Sequence, residues 1–153
     1  MGCNISFFAR VGDEFALLGT FGRCSFIYEV TRQWAPWQKV RPLGDAELQD
    51  LRCKAEDSLA QVREDKQRSE ERIQLILQMD GSVNERLDAI TEEQGAIMSY
   101  KLDAAEREEA VNFFTFLLSM NHNIEFVEYK NMTHDRYIYV GMEVNEESPE
   151  IQS

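Results

Sequence analysis

A chain of 153 residues, 43% of them apolar, carries enough hydrophobic material for one domain with its own core, without disulfides or a structural metal. Its 28 acidic against 16 basic residues give a net charge of −12, which opposes binding to nucleic-acid backbones or anionic membranes and leaves a basic protein partner open. Cys3, Cys24 and Cys53 have no paired spacing, and no apolar run nears the ~18 residues of a membrane helix. With no secretory leader in view at the N-terminus, the expectation is a cytoplasmic protein with reduced thiols.

The chain opens with period-two alternation. Cys3, Ile5, Phe7, Ala9 and Val11 fall on one side, and Asn4, Ser6 and Arg10 on the other, with Phe8 the exception. That pattern predicts a half-buried strand. Gly12-Asp13 signals a turn, and residues 15–20 read as a returning strand, or as a short helix capped by Asp13. Cys24, Phe26, Tyr28 and Val30 alternate with Ser25, Glu29 and Thr31, so a further strand is expected after Gly22-Arg23. Trp34-Ala35-Pro36-Trp37, Pro42 and Gly44 then make an irregular connection.

Helix-favouring residues fill positions 45–79 and 82–120, two stretches joined by Asp80-Gly81, and no proline lies between Leu43 and Ser148. Asp45 is placed to cap the first helix and Gly81 to end it, and Ser82 with Glu85 has the capping-box spacing that starts the second. Leu48, Leu51, Ala55, Leu59 and Val62 recur at steps of three and four, and the phase resumes at Ile73 and Ile76. Val83, Leu87, Ile90, Ile97, Val111, Phe114 and Leu118 continue a similar stripe. Folding about Asp80-Gly81 sets Ile76 near Leu87, Ile73 near Ile90, and Leu51 near Val111. Residues 63–72 hold no apolar side chain. At ~1.5 Å per residue the first helix would be roughly 50 Å long, so its tip is expected to project as an arm. Thr91 with Gln94 and Asp103 with Glu106 have capping spacing, which leaves open a division of the second helix into two or three, and Gly95 costs ~1 kcal/mol relative to Ala inside it. Between Asp45 and Ala110 lie 18 acids and 9 bases, so −9 of the −12 sits on the helical region.

Residues 124–129 and 136–144 are again rich in β-branched and aromatic side chains, with a polar loop at 130–135 and an acidic tail at 146–153. A hairpin of near-equal helices returns the chain to its starting point. The predicted fold is therefore α+β: one domain over 1–153, with an antiparallel sheet from residues 1–43 and 121–145 and a helical hairpin inserted at 45–120.

Few residues carry a recognisable chemistry. Met1-Gly2-Cys3-Asn4-Ile5-Ser6 fits an N-myristoylation pattern with Cys3 at a palmitoylation position, the one route by which a membrane partner would enter. The same six residues are similar to the opening of small bacterial and phage proteins that begin Met-Gly-Cys-Asp-Ile-His; Asn4 and Ser6 replace the acid and the histidine, and the resemblance implies no chemistry. His122 and His134 have no Cys or His at a metal-ligand spacing, and no phosphate loop, serine elbow or paired-cysteine motif occurs. No cofactor, metal or enzymatic activity is expected. Trp34 and Trp37 flank a proline and make a rigid amphipathic corner, suited to a lid over the sheet or to an interface. Tyr129, Tyr137 and Tyr139 are expected to share a sheet face with Tyr28.

The functional expectation is a non-enzymatic acidic module that binds a protein partner as inhibitor or regulator, in the manner of phage and mobile-element products. Its contacts would be Trp34, Trp37 and the exposed acids Glu64, Asp65, Glu70 and Glu71. A nucleic-acid mimic occupying a partner's basic groove is the sharper version. The alternatives are a homodimeric or higher helical scaffold, and a small-molecule binder or hydrolase built on the sheet tyrosines with His122 and His134.

Overall fold

The computed structural model describes residues 2–120 and 122–130. The expected strand at 136–144, the flanking loop and tail, and His134, Tyr137 and Tyr139 lie outside them. The elements run β1 (Cys3–Val11), β2 (Glu14–Gly22), α1 (Phe26–Thr31), β3 (Arg41–Pro42), α2 (Asp45–Gln78), α3 (Val83–Ser119) and β4 (Asn123–Lys130). Among the described residues the strands form one antiparallel sheet in the order β2-β1-β4-β3, so the two ends of the chain are neighbours and the helical hairpin is an insertion between them.

β1 pairs with β4 along its length, Phe7 opposite Phe126 and Ile5 opposite Glu128. On its other side it pairs with β2 around Gly12, whose φ of +64° suits a glycine turn. Ile5, Phe7, Ala9, Ile124 and Phe126 form the face against which α1, the start of α2 and the end of α3 pack. Leu48, Leu51 and Ala55 come from α2, and Ala110, Phe114 and Leu117 from α3. Ring contacts tie the layers together: Phe113 stands edge-on to Phe7 at 5.1 Å and to Phe21 at 4.8 Å. The close approach of Phe113 needs Gly19, where an added Cβ would sit 3.2 Å from its ring.

β1 is buried on both faces, not half-buried. Ser6 and Phe8 are nearly as enclosed as Ile5 and Phe7, Asn4 is also buried, and Phe8 gathers a second apolar cluster with Val127 and Tyr129. On that face Ser6 shares hydrogen bonds of 2.8 Å with both Thr20 and Tyr129, and Arg10 makes a two-point ion pair with Glu125. The Phe8 that broke the alternation is the core residue of this second face.

Residues 26–31 are helical, which corrects the strand expected over Cys24 to Val30. Ser25 caps the turn by accepting a hydrogen bond from the Tyr28 amide, and the Glu106 carboxylate of α3 takes the Phe26 amide. Arg107 stacks its guanidinium 4.3 Å from the Phe26 ring centroid. These contacts, together with burial of Phe26, Ile27, Tyr28 and Thr31, outweigh the β propensity of the branched residues.

The first-helix cap is Gly44, not Asp45; the Glu47 carboxylate accepts from the Gly44 amide at 3.2 Å. Ser82 caps α3 as expected, accepting from the Glu85 amide at 3.1 Å. Gly81 takes φ +145°, a conformation that side-chain-bearing residues rarely adopt. α3 is one unbroken helix, so the division left open by the pairs Thr91/Gln94 and Asp103/Glu106 does not occur. Its pairing with α2 along the whole hairpin supplies the stability that local propensity lacked.

Among the described residues no helix is long and apolar enough to cross a membrane.

Candidate functional site

Only the base of the hairpin packs against the sheet. Beyond Leu59 on α2 and before Ala110 on α3, Ser69 alone is fully buried among the described side chains. The outer two-thirds of the hairpin is thus an arm whose helices touch each other. Its register is held by polar links: Arg107 donates to the Ser58 hydroxyl, Arg63 pairs with Glu108 at 2.9 Å, and Arg72 pairs with Glu93 at 3.0 Å. Ser69 sits where a larger side chain would force the helices apart, and its hydroxyl accepts from Arg72 at 3.1 Å. Hydrogen bonds from Arg72 and Ser69 hold the Glu93 carboxyl below its ordinary pKa.

These links agree with the antiparallel pairing expected from the sequence, with one correction. Ile90 and Ile97 lie half-buried on the inner side, but Val83 and Leu87 point away from α2 and are exposed. Near the tip the inward position belongs to Arg86, half-buried with its guanidinium donating to the Met79 carbonyl. Leu87 is therefore not the partner of Ile76.

The six residues singled out as contacts do not converge. Trp34 is half-buried against the core with the Lys54 ammonium 5.3 Å from its ring centroid, and its carbonyl accepts from Arg41 at 2.7 Å. It acts as a lid. Trp37 is 49% exposed, and its connection runs along the β4 edge, where Gln38 donates to the Glu128 carbonyl and the Glu128 amide donates to Pro36. Glu64, Asp65, Glu70 and Glu71 lie at least ten residues up α2 from Lys54, or ~15 Å along the axis. Each carboxylate takes a hydrogen bond from its own helix: Glu64 and Asp65 from Arg68, Glu70 from Lys66, and Glu71 from Gln67. Asp65 is half-buried on the flank and not on the fully exposed side.

Of the four tyrosines expected on one face, the two among the described residues, Tyr28 and Tyr129, do not share it. Tyr28 belongs to α1 on the helical side of the sheet, where its hydroxyl donates to the Glu128 carboxylate; burial and that bond push its pKa up. Tyr129 lies on the opposite face with Ser6. His122 is exposed beside an open polar depression of about 400 Å³ lined by Arg10, Asp45, Met120 and Asn123. Neither tyrosine reaches it. Among the described residues no group of three or more His, Cys, Asp or Glu side chains is placed to hold a metal ion. Cys3, the second acylation position, opens β1 and packs half-buried against the core.

A feature the sequence reading passed over is the outer side of α3. Val83, Leu87, Met98, Leu102 and Phe116 are all exposed, at 47% or more of their surface. They fall within an arc of about 100° on the exposed side of α3, because spacings of 4, 11, 4 and 14 residues are each close to a whole number of turns. Ala105 falls in the same arc and Gly95 at its edge. The signal was present as spacing, but the inner stripe beside it has the same period.

Comparison with protein-family models, with curated proteins and with solved structures found no match for this chain.

Proposed function

We propose that this chain is a non-enzymatic protein-binding module, an inhibitor or regulator, whose sheet-and-helix base anchors a helical arm that presents the contact surface. The observation that carries the reading is the row of large apolar side chains left in water along the outer side of α3. Exposed leucine, methionine and phenylalanine aligned over some 50 Å lower the free energy of a chain that buries them in a partner. The local pairing of Glu64, Asp65, Glu70 and Glu71 favours apolar contact over nucleic-acid mimicry, because carboxylates already engaged by Arg68, Lys66 and Gln67 present a mixed surface to a basic groove. Trp37, exposed at the β4 edge, is a secondary contact.

The test is affinity capture with tagged full-length chain from extracts of its host, with untagged copies of the same chain counted among the captured proteins. The reading expects a protein retained in 0.5 M salt by the native chain and lost by a Met98→Glu/Leu102→Glu variant. An absence of salt-resistant capture, or equal capture by the variant, would refute it.

A further inference from the structure

We infer that the outer stripe of α3 is a self-association surface, on which a second copy of this chain lays its own α3 antiparallel to the first. The inference rests on the proposed binding role of the arm and names its partner.

Reversed about residue 100, Val83 and Phe116 exchange places to within one residue and Met98 and Leu102 exchange places, whereas Leu87 falls opposite Asn112 or Phe113. With two copies related by a two-fold axis near residue 100, Met98 of each faces Leu102 of the other, and Val83 faces Phe116. Between these large pairs Gly95 faces Ala105. Large side chains meet large ones at the middle and ends, and small meet small between, which lets the helix backbones stay close and evenly spaced. An isologous two-fold contact requires that a surface meet itself in this way.

Charge points the same way. The chain carries −12, so two copies repel unless the touching surfaces are spared. From Val83 to Phe116 the stripe carries two charged residues of opposite sign, Glu109, which the pairing sets against Thr91, and Lys101, which shares the bearing of Val83. An added Cβ at Gly95 meets nothing within 4 Å in the single chain, so that position is open to an approaching helix. The stripe is about 50 Å long and about 10 Å wide, roughly 500 Å² on each copy and 1,000 Å² in the pair. That falls short of the roughly 1,200 Å² at which stable specific interfaces begin, and implies a weak, concentration-dependent dimer. The mean period of the stripe, close to 11 residues in three turns, suits straight or slightly right-handed pairing over this length.

The test is sedimentation equilibrium and light scattering of the full chain from 1 to 200 μM, with circular dichroism to confirm folding. A dimer is expected within this range, with Met98→Glu/Leu102→Glu monomeric throughout and Leu75→Glu, an exposed leucine on the outer side of α2, still dimeric. Orientation is read by disulfide trapping in a Cys24→Ser/Cys53→Ser background. Chains carrying Gly95→Cys should cross-link to chains carrying Ala105→Cys and not to themselves. A native chain monomeric at 200 μM overturns the inference and leaves the capture experiment to judge the wider binding role. A dimer that persists in the glutamate variant, or Gly95→Cys chains that cross-link to one another, also overturns it.

Discussion

Phe126 is fully buried in β4, stacked on Phe7 with ring centroids 6.0 Å apart, and Arg41 covers its other side at 4.9 Å. It joins the last strand to the first and to the connection that leads into α2. Truncation to alanine removes the ring from a closed site lined by several elements that cannot all collapse into the gap. The expected cost is about 3–5 kcal/mol. Against a total stability of about 5–15 kcal/mol for a domain, that is a large fraction. With a urea m-value of about 2 kcal/mol/M, the midpoint should fall by about 2 M. Should Phe126→Ala prove partly unfolded in water, Phe126→Leu, with an expected cost of about 1–2 kcal/mol, gives the same reading at smaller amplitude. Leu75→Ala, on an exposed side of α2, is the control and should shift stability by under about 0.5 kcal/mol. The reasoning depends on register, because a one-residue slip of β4 would move Phe126 to the Phe8 side of the sheet, away from Phe7, and set Glu125 against the helices. A Phe126→Ala cost no larger than that of Leu75→Ala would refute it.

Gly95 lies inside α3 with space for a methyl group, so Gly95→Ala should stabilise the fold by about 0.5–1 kcal/mol; urea midpoints in the Met98→Glu/Leu102→Glu background read this free of any dimer contribution. The Glu93 carboxyl has a lowered pKa in the folded chain, so its contribution to stability is present above the ordinary glutamate pKa and is lost as pH falls through the folded value. An NMR titration should show Glu93 ionising below the ordinary glutamate pKa, and Arg72→Ala should move it back up towards that value. Trp34→Ala should cost about 2–3 kcal/mol by uncovering the core beneath Lys54, whereas Trp37→Ala should cost under about 1 kcal/mol and act on partner capture instead. Equal thermal shifts for the two tryptophan variants would contradict their assignment as lid and surface.

The hairpin was legible because its signals are long and redundant. Two helical patterns of over thirty residues, a glycine turn and the Ser82-Glu85 cap all specify the same reversal. The strand pairing of the chain ends followed from that reversal and from alternation in β1. Residues 26–31 misled because Phe26, Tyr28 and Val30 suit a strand at period two, while Phe26 with Val30 also suits one helical turn. Over six residues only capping and tertiary contact decide, here through Ser25, Glu106 and Arg107. The sequence also placed Leu87 on the wrong side of α3. Inner and outer stripes share one period, and what separates them near the tip is the Arg86 bond to the Met79 carbonyl. Trp34 and Trp37 were grouped by adjacency, yet a connection that turns along the β4 edge sends one to the core and the other to solvent.

The central claim is that the two ends of the chain share a sheet in a single register, which is what orients the arm. Backbone NMR contacts between β1 and β4 test it most directly. The structure predicts cross-strand contacts that set Ser6 opposite Val127 and Phe7 opposite Phe126, running antiparallel from Cys3–Lys130 to Arg10–Asn123. An absence of contacts between these segments, or a pairing displaced by one residue, would contradict it.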